Sequence, residues 1–498
     1  MRKNIYFFAA LMVTALFGSA EIAKAADVSI GGQIFTRAET NEHGGNKTND
    51  FDNQSEASDI IGQRTVVDVK ANINDETSAF IQLQSNRQWG SGQVGQDDGG
   101  TGSNTNGAND GSFQVNDQDA SVGIHEAYFT LKNFAGLPVD AKIGRQEIIL
   151  DGHRIFGDTL WTMGQNSHDA VRLTHKHDDV TINAGYMLAL EDGITPAADN
   201  DQQLDAENYF IHANYKGILG GQLSVLYNYL NDPCGNTGAA AAACTNASHL
   251  DNSVHTIGFR QAGQMFGIDY RGEYYHQFGS ADSDALASQM GGEAARGTSA
   301  GVGADRDAYM FGVRVGKKFN NVQMKPGLTL WYDYLSGTKD SDLTDGSATY
   351  KSFNTVYDTG HKFYGLQDLF LGIGGGNSTN GTAGLGLQDM AVKTKFSPMP
   401  GWTAKIDYHW FYTAEGVSGN PDAGLGGLSN TTSATQVARN RSSALGNELD
   451  ITLINKYNAN TNIMIGFSNY TTTAAFRDLR SVRGDGANWA YLQFDVKF

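Results

Sequence analysis

Residues 488 to 498 read Asn-Trp-Ala-Tyr-Leu-Gln-Phe-Asp-Val-Lys-Phe (NWAYLQFDVKF) and decide the fold. Ala490, Leu492, Phe494 and Val496 are apolar, and Gln493, Asp495 and Lys497 between them are polar, with Trp489 and Tyr491 amphipathic. A period of two describes a β-strand with one oily and one wet face, and about 9 to 11 residues is the length a tilted strand needs to cross a bilayer. Ending such a strand on Phe498 is unusual for a soluble chain, whose terminus frays and whose edge strand invites aggregation. The alternating strand with a final aromatic resembles the signal read by the machinery that assembles membrane barrels, so Phe498 is expected to serve insertion.

The opposite end agrees. Arg2 and Lys3, an apolar run from Ile5 to Phe17, and Ala23-Lys24-Ala25 form a secretory signal peptide over residues 1–25, which leaves 26–498 as the mature domain. The full chain carries 36 basic and 54 acidic residues; losing Arg2, Lys3, Lys24 and Glu21 leaves 33 and 53, a net charge of −20. Nucleic acid is therefore an unsuitable partner. No later stretch approaches the ~18 apolar residues of a membrane helix. Cys234 and Cys244 stand close together behind a secretory leader, which suits a loop disulfide better than a metal pair.

The pattern of the last strand recurs along the chain. Strands are predicted near 27–39, 61–73, 78–89, 120–132, 138–150, 168–176, 179–190, 206–217, 220–230, 252–262, 265–278, 306–318, 322–335, 385–396, 401–413, 446–457, 460–471 and 487–498. Short turns alternate with long, polar loops. This predicts an all-β, 18-stranded antiparallel transmembrane barrel in the outer membrane, with turns in the periplasm and loops outside. Val28, Ile30, Ile34, Leu223, Tyr227, Val313, Tyr332, Ile406 and Phe494 are expected to face lipid, and lipopolysaccharide to surround the outer half.

A barrel this wide encloses more space than side chains fill, so the wet face is the functional surface. Its expected members include Arg64, Asp68, Lys70, Glu126, Arg172, Arg260, Asp269, Arg271, Glu273, Arg314, Lys318 and Asp333. Further along come Asp389, Lys393, Lys395, Lys405, Asp407, His409, Glu448 and Asp450. An inward arginine is a fixed cation whose planar fork suits carboxylates. Arg and Asp on neighbouring strands also brace one another with no role in transport.

Two ordered polar stretches stand out: IGRQEIILDGHRIFGDTLWTMGQNSHDAVRLTH from Ile143 to His175, and FNTVYDTGHKFYGLQDLFLGIGGG from Phe353 to Gly376. Both, with Gly446-Asn447-Glu448-Leu449-Asp450, resemble signatures of the alginate export family of outer-membrane barrels. The resemblance implies an eighteen-stranded channel whose arginines and acidic residues line a narrow, positively biased pore for an anionic polyuronate. By motif it makes Arg145, Arg154, Asp169 and Arg172 pore residues, and places His361, Lys362 and Asp368 on a long loop folded into the lumen. Alternation agrees for Arg172 but points Arg145 at lipid, unless a bulge at Gly144 turns it inward.

The expected function is a passive channel for anionic solutes of the carboxylated-sugar type. A general porin without anion preference remains the alternative, and the solute, its direction and the oligomeric state stay open. An outer-membrane enzyme would need His153, Asp158, His168, Asp169 and His175 to assemble, and no Gly-x-Ser-x-Gly or His-Glu-x-x-His motif accompanies them. An energy-coupled transporter would need a folded plug domain ahead of the first strand, which begins within a few residues of Ala26. No cofactor is expected. Asp340, Asp342 and Asp345 in KDSDLTDG offer hard oxygens for loose calcium binding but lack the distal glutamate of a dedicated loop.

Overall fold

The computed structural model describes residues 27–42, 51, 57–89, 122–190, 205–232, 253–282, 303–338, 349–371, 381–382, 384–416, 443–480 and 483–498. The leader, Cys234, Cys244 and the Asp340, Asp342, Asp345 loop lie outside the described residues.

Eighteen strands form the wall. They are β1 (Asp27–Asn41), β2 (Ser58–Asn72), β3 (Thr77–Gln88), β4 (Gly123–Leu131), β5 (Asp140–Gln146), β6 (His168–His177), β7 (Val180–Leu190), β8 (Ala206–Lys216) and β9 (Gly221–Asn231). There follow β10 (Ser253–Met265), β11 (Ile268–Asp282), β12 (Gly303–Lys318), β13 (Gly327–Leu335), β14 (Leu387–Phe396), β15 (Trp402–Tyr412), β16 (Ala444–Lys456), β17 (Thr461–Thr472) and β18 (Gly486–Lys497). Each pairs antiparallel with its sequence neighbour, and β18 returns to β1 from Lys497 opposite Gln33 to Trp489 opposite Asn41, so the sheet closes. Closure removes the exposed edges that an open sheet would present to lipid.

Phe498 completes the seam. It exchanges backbone hydrogen bonds with Gly32, accepting at 3.0 Å and donating at 3.1 Å. Its ring lies over the glycine, where a Cβ would sit 2.6 Å from the ring carbon. Only glycine at position 32 admits that close approach.

The predicted alternation holds around the wall. Val28, Ile30, Ile34, Tyr227, Val313, Ile406 and Phe494 are exposed on the outer face, and Trp489 and Tyr491 are buried within. Several boundaries differ from expectation by three to five residues, and two of them have a visible cause. β5 ends at Gln146 because the next amide, of Glu147, donates to the Glu126 carboxylate at 3.0 Å and turns the chain inward. β13 starts at Gly327 because Pro326 has no N–H for the ladder, so the turn extends to Pro326, whose carbonyl accepts from Phe319 at 2.8 Å.

Candidate functional site

Two loops enter the lumen, and they are the two ordered stretches of the sequence. The loop from Glu147 to Ser167 between β5 and β6 runs beside the segment around Tyr357 in the loop between β13 and β14. Tyr357 N donates to Ile155 O at 3.0 Å, Gly157 N to Tyr357 O at 2.7 Å and Thr359 N to His153 O at 3.1 Å. This short parallel pairing satisfies backbone groups that a dry interior would otherwise leave unbonded. Around it the loops build a hydrophobic cluster with the wall and with Phe51 and Phe476 of two further connections. Phe156 packs on Phe210 and Tyr357, and Phe370 on Phe411 and Tyr470, with ring centroids between 4.5 and 6.1 Å apart.

The first loop is fastened to the wall at successive points. Asp151 accepts from His212 Nε2 at 3.1 Å and Ser224 Oγ at 2.5 Å. Burial opposes charge on this carboxyl, but His212 and Ser224 hold it below the ordinary aspartate range. Farther along, Trp161 O accepts from Arg37 at 2.9 Å and Thr162 O from Arg64 at 3.4 Å. The Trp161 ring lies between the Arg37 guanidinium and the His361 ring, each centred 4.0 Å away. With both faces taken, Trp161 is an anchor and offers no platform to a passing sugar.

The second loop is held by Glu448. Its Oε1 accepts from the amides of Leu366 at 2.6 Å and Gln367 at 2.9 Å, and from Ser468 at 3.0 Å. Gly365 reaches this position with φ +82°, and a Cβ there would lie 2.5 Å from the carboxylate. The glycine is required on both counts.

Arg154 joins the loops to the wall. Buried at 1 % exposure, it donates to Asp333 at 2.6 Å, Glu273 at 3.1 Å and Tyr364 Oη at 2.7 Å, with Phe363 beneath it at 3.7 Å. Burial works against its charge, yet Asp333, Tyr364 and Glu273 more than offset this and raise its pKa above the usual arginine value. Arg314 shares the same carboxylates, at 3.3 Å from Glu273 and 3.4 Å from Asp333. Arg260 stands 4.0 Å from Glu273. Arg271 makes no hydrogen bond or ion pair among the described residues, and its Nη1 is a buried donor without a partner. The Lys362 side chain reaches from the loop surface toward these arginines, and partial loss of water and then Arg271 lower its pKa, with Asp158 opposing and Arg260 and Arg154 adding to the drop.

Three cations, Arg154, Arg260 and Arg314, therefore meet at two carboxylates, Glu273 and Asp333, and Arg271 and Lys362 stand beside them. Asp151 and Asp158 also face this cluster, each engaged by a histidine, His212 at 3.1 Å and His153 at 3.4 Å. Gly152 marks the gap, since a Cβ there would meet Arg271 Nη1 at 3.2 Å and Arg260 Nε at 3.5 Å. Toward the turns, Lys395 lies opposite Lys405, and Lys393 pairs with Asp407 at 3.4 Å.

The inward positions read by alternation are where they were expected. Arg260, Arg271, Glu273, Arg314, Lys405, Asp407, Glu448 and Asp450 lie on the wet face, in register with one another across the ladders. Arg172 is also inward, opposite Lys142, which lies 3.8 Å from Glu126. His361 and Lys362 are on the inward loop, and His361 Nδ1 lies 2.8 Å from Asp368.

Arg145 and Asp169 correct the motif carry-over. They pair with each other at 3.0 Å on the side of β5 and β6 shared with Ile143, Val171 and the exposed Phe129, which is the outer face. Gly144 takes φ +120°, but the pairing continues through it without a register shift, so no bulge turns Arg145 inward. The histidine–aspartate set weighed for an enzyme is scattered. Asp169 is outside, His168 stands edge-on to Tyr357 at 4.9 Å, and His175 reaches Pro138 O at 2.6 Å. Only His153 and Asp158 remain together.

Sequence reasoning missed Arg37, Lys142 and Tyr364. The first two lie on wet faces that alternation could have assigned, since Arg37 is two residues from Phe35 and Glu39 on β1. Tyr364 sits inside a quoted motif, but its contact with Arg154 spans 210 positions.

A closed, antiparallel 18-stranded barrel with an apolar outer face, a charged lumen and inward loops is an outer-membrane porin-type channel. Three solved structures from Pseudomonas aeruginosa share the fold. OccK9 (OpdG) matches at 10% identity and TM-score 0.52, covering 95% of this chain and 98% of that one. OccK11 (OpdR) matches at 10% identity and TM-score 0.50, covering 97% and 99%, and OpdO at 9% and 0.50, covering 95% and 97%. The alginate export family model matches residues 27–488, and the chain belongs to that family. Comparison with curated protein sequences returns no match. The protein is thus a channel of a Gram-negative outer membrane.

Proposed function

We propose that the channel is passive and selects anions, with carboxylated sugars of the polyuronate type as its solutes. The observation that carries this is the approach of Arg260 and Arg271 to the gap at Gly152, with Lys362 close enough to feel both; among the described residues Arg271 has no ion pair and Arg260 approaches a carboxylate at 4.0 Å. Each charge-assisted hydrogen bond from such a group to a sugar carboxylate is worth about 1.5–3 kcal/mol. A polymer offers the next carboxylate as the first lets go, so several moderate sites pass it without trapping it. The lysines at 393, 395 and 405 continue the cationic path toward the turns.

The wall's carboxylates do not cancel this field. Glu448, Asp389 and Asp450 are buried at 0, 0 and 3 % exposure beneath the second loop or against His409. Two loops packed across the lumen also disfavour the general-porin alternative, which needs a wide unobstructed passage. The test is single-channel current with oligouronate or a neutral oligosaccharide of equal length added to one side. Transient blockades by the uronate alone are expected, weakened roughly tenfold in Arg271→Ala. Equal blockade by both sugars, or blockade indifferent to Arg271, contradicts the reading.

A further inference from the structure

The outer face carries an aromatic belt that is not complete. From β7 to β11 it runs Tyr186, Tyr209, Tyr229, His255 and Phe278, with successive ring centroids between 4.5 and 6.3 Å apart. It continues on β12 and β13 through Tyr309 and Tyr334 at 5.5 Å and Phe311 and Tyr332 at 5.7 Å. Such belts hold a barrel at the level of the lipid headgroups.

At the closing seam the belt gives way to small side chains. Ala38 on β1 and Ala490 on β18 leave a groove of about 620 Å³ at this face, walled by Ile61, Ile465, Leu492 and Trp89. Ala38 is eleven residues beyond Asp27, the first residue of β1. At ~3.3 Å per residue and a tilt of ~40°, that places it roughly 28 Å above the turns, at the outer boundary of a band about 25 Å tall. The groove therefore opens to the outer leaflet where acyl chains meet headgroups.

Its mouth is charged. Arg87 on β3 is exposed and has no ion pair or hydrogen bond among the described residues. It follows the row of Thr36 and Gln63 across β1 and β2, one step below Trp89, whose Nε1 donates to Gln63 at 3.0 Å. Asp59, also exposed, stands opposite Thr40 on the same face. An arginine beside an apolar trough, with no partner among the described residues, complements an anionic headgroup on an acyl chain, and a carboxylate at the rim suits a divalent cation shared with a phosphate.

We infer that this groove is a binding site for a phosphorylated, acylated glycolipid of the outer leaflet, lipopolysaccharide, with one acyl chain against Ala38 and Ala490 and a phosphate on Arg87. The occupant follows from height and charge together. A second copy of this chain would meet Arg87 and Asp59 at its own rim and would have to desolvate both.

The test uses the full protein extracted from outer membranes in mild detergent, with co-purifying lipopolysaccharide and phospholipid each measured per barrel. Two variants disable the site differently: Arg87→Ala removes the cation, and Ala490→Trp fills the trough. Heat-modifiable migration confirms that each has folded. Where Ala490→Trp fails to fold, Ala38→Leu replaces it. Retained lipopolysaccharide is expected to fall roughly tenfold in either variant, as loss of one charge-assisted contact or one seated chain implies. Retention unchanged in both variants overturns the site. Phospholipid lost in place of lipopolysaccharide overturns the assigned ligand, and a shift from oligomer to monomer on filling the trough assigns the groove to a second copy.

Discussion

The lumen wall has two regions of opposite accounting. Along β14 to β17, Asp389, Glu448 and Asp450 match the lysines at 393, 395 and 405 in number, but they are sealed: His409 takes Asp389 at 2.8 Å, the Ser468 hydroxyl lies against both Glu448 and Asp450, and the second loop's amides cap Glu448. Along β10 to β12, Arg260, Arg271 and Arg314 are only partly spent on Glu273 and Asp333. On the proposed reading, an acidic chain thus presents a cationic passage. What a solute meets is the charge left over after the loops have docked, and the sum over the sequence does not report it.

The strongest way to break this comparison is Arg154→Ala. It leaves Glu273 and Asp333 to Arg314 and Arg260 alone and removes a fastening to the wall that the two loops share, for a cost of about 3–5 kcal/mol. Unfolding in denaturant should shift accordingly, and open-channel conductance should rise. Unchanged conductance would show that the loops are held without Arg154. Next comes Glu448→Ala, which frees the Leu366 and Gln367 amides for about 1–3 kcal/mol and exposes Asp450. Conductance should again increase, this time with anion preference reduced.

Arg271→Ala acts on the other side of the comparison. Because Arg271 supports no loop, stability should change by less than about 1 kcal/mol while uronate blockade weakens. A large loss of stability would mean that the arginine is spent after all.

A further effect is that of pH. Asp358 is half-buried on the second loop, and burial, partly countered by Arg154, raises its carboxyl from 3.8 to about 7. The folded protein thus keeps a proton that the unfolded chain releases near 3.8. Stability from this group is greatest at low pH and falls as pH rises through the window up to about 7. Asp358→Asn should flatten that slope, measured by thermal unfolding across the same window. Anion preference should weaken slightly above neutral pH in the wild type and not in the variant. A slope that survives in Asp358→Asn assigns it to another group.

Much of the wall was legible in the sequence because its signal is local. A side-chain period of two distinguishes Leu492 from Gln493 whatever the rest of the chain does, and it marks Phe498 as the end of a bilayer-crossing strand, while its seat on Gly32 carries no such local signal. The same rule placed Arg145 correctly on the outer face where the motif comparison put it in the pore. The site resisted because it is made over distance. Arg154 meets Glu273 and Asp333 across 119 and 179 positions, and Glu448 meets Leu366 across 82. No periodicity reports which cation such docking consumes. Arg154 and Arg271 look alike in the sequence, yet one is buried in an ion cluster and the other faces the gap.

The most direct measurement is the reversal potential of a single channel in a planar bilayer under asymmetric salt, for the wild type and for Arg260→Ala/Arg271→Ala. The account predicts an anion-selective potential in the wild type that collapses toward zero in the double variant, with conductance retained. A cation-selective wild type, or an anion-selective one that the double variant leaves unchanged, would contradict it.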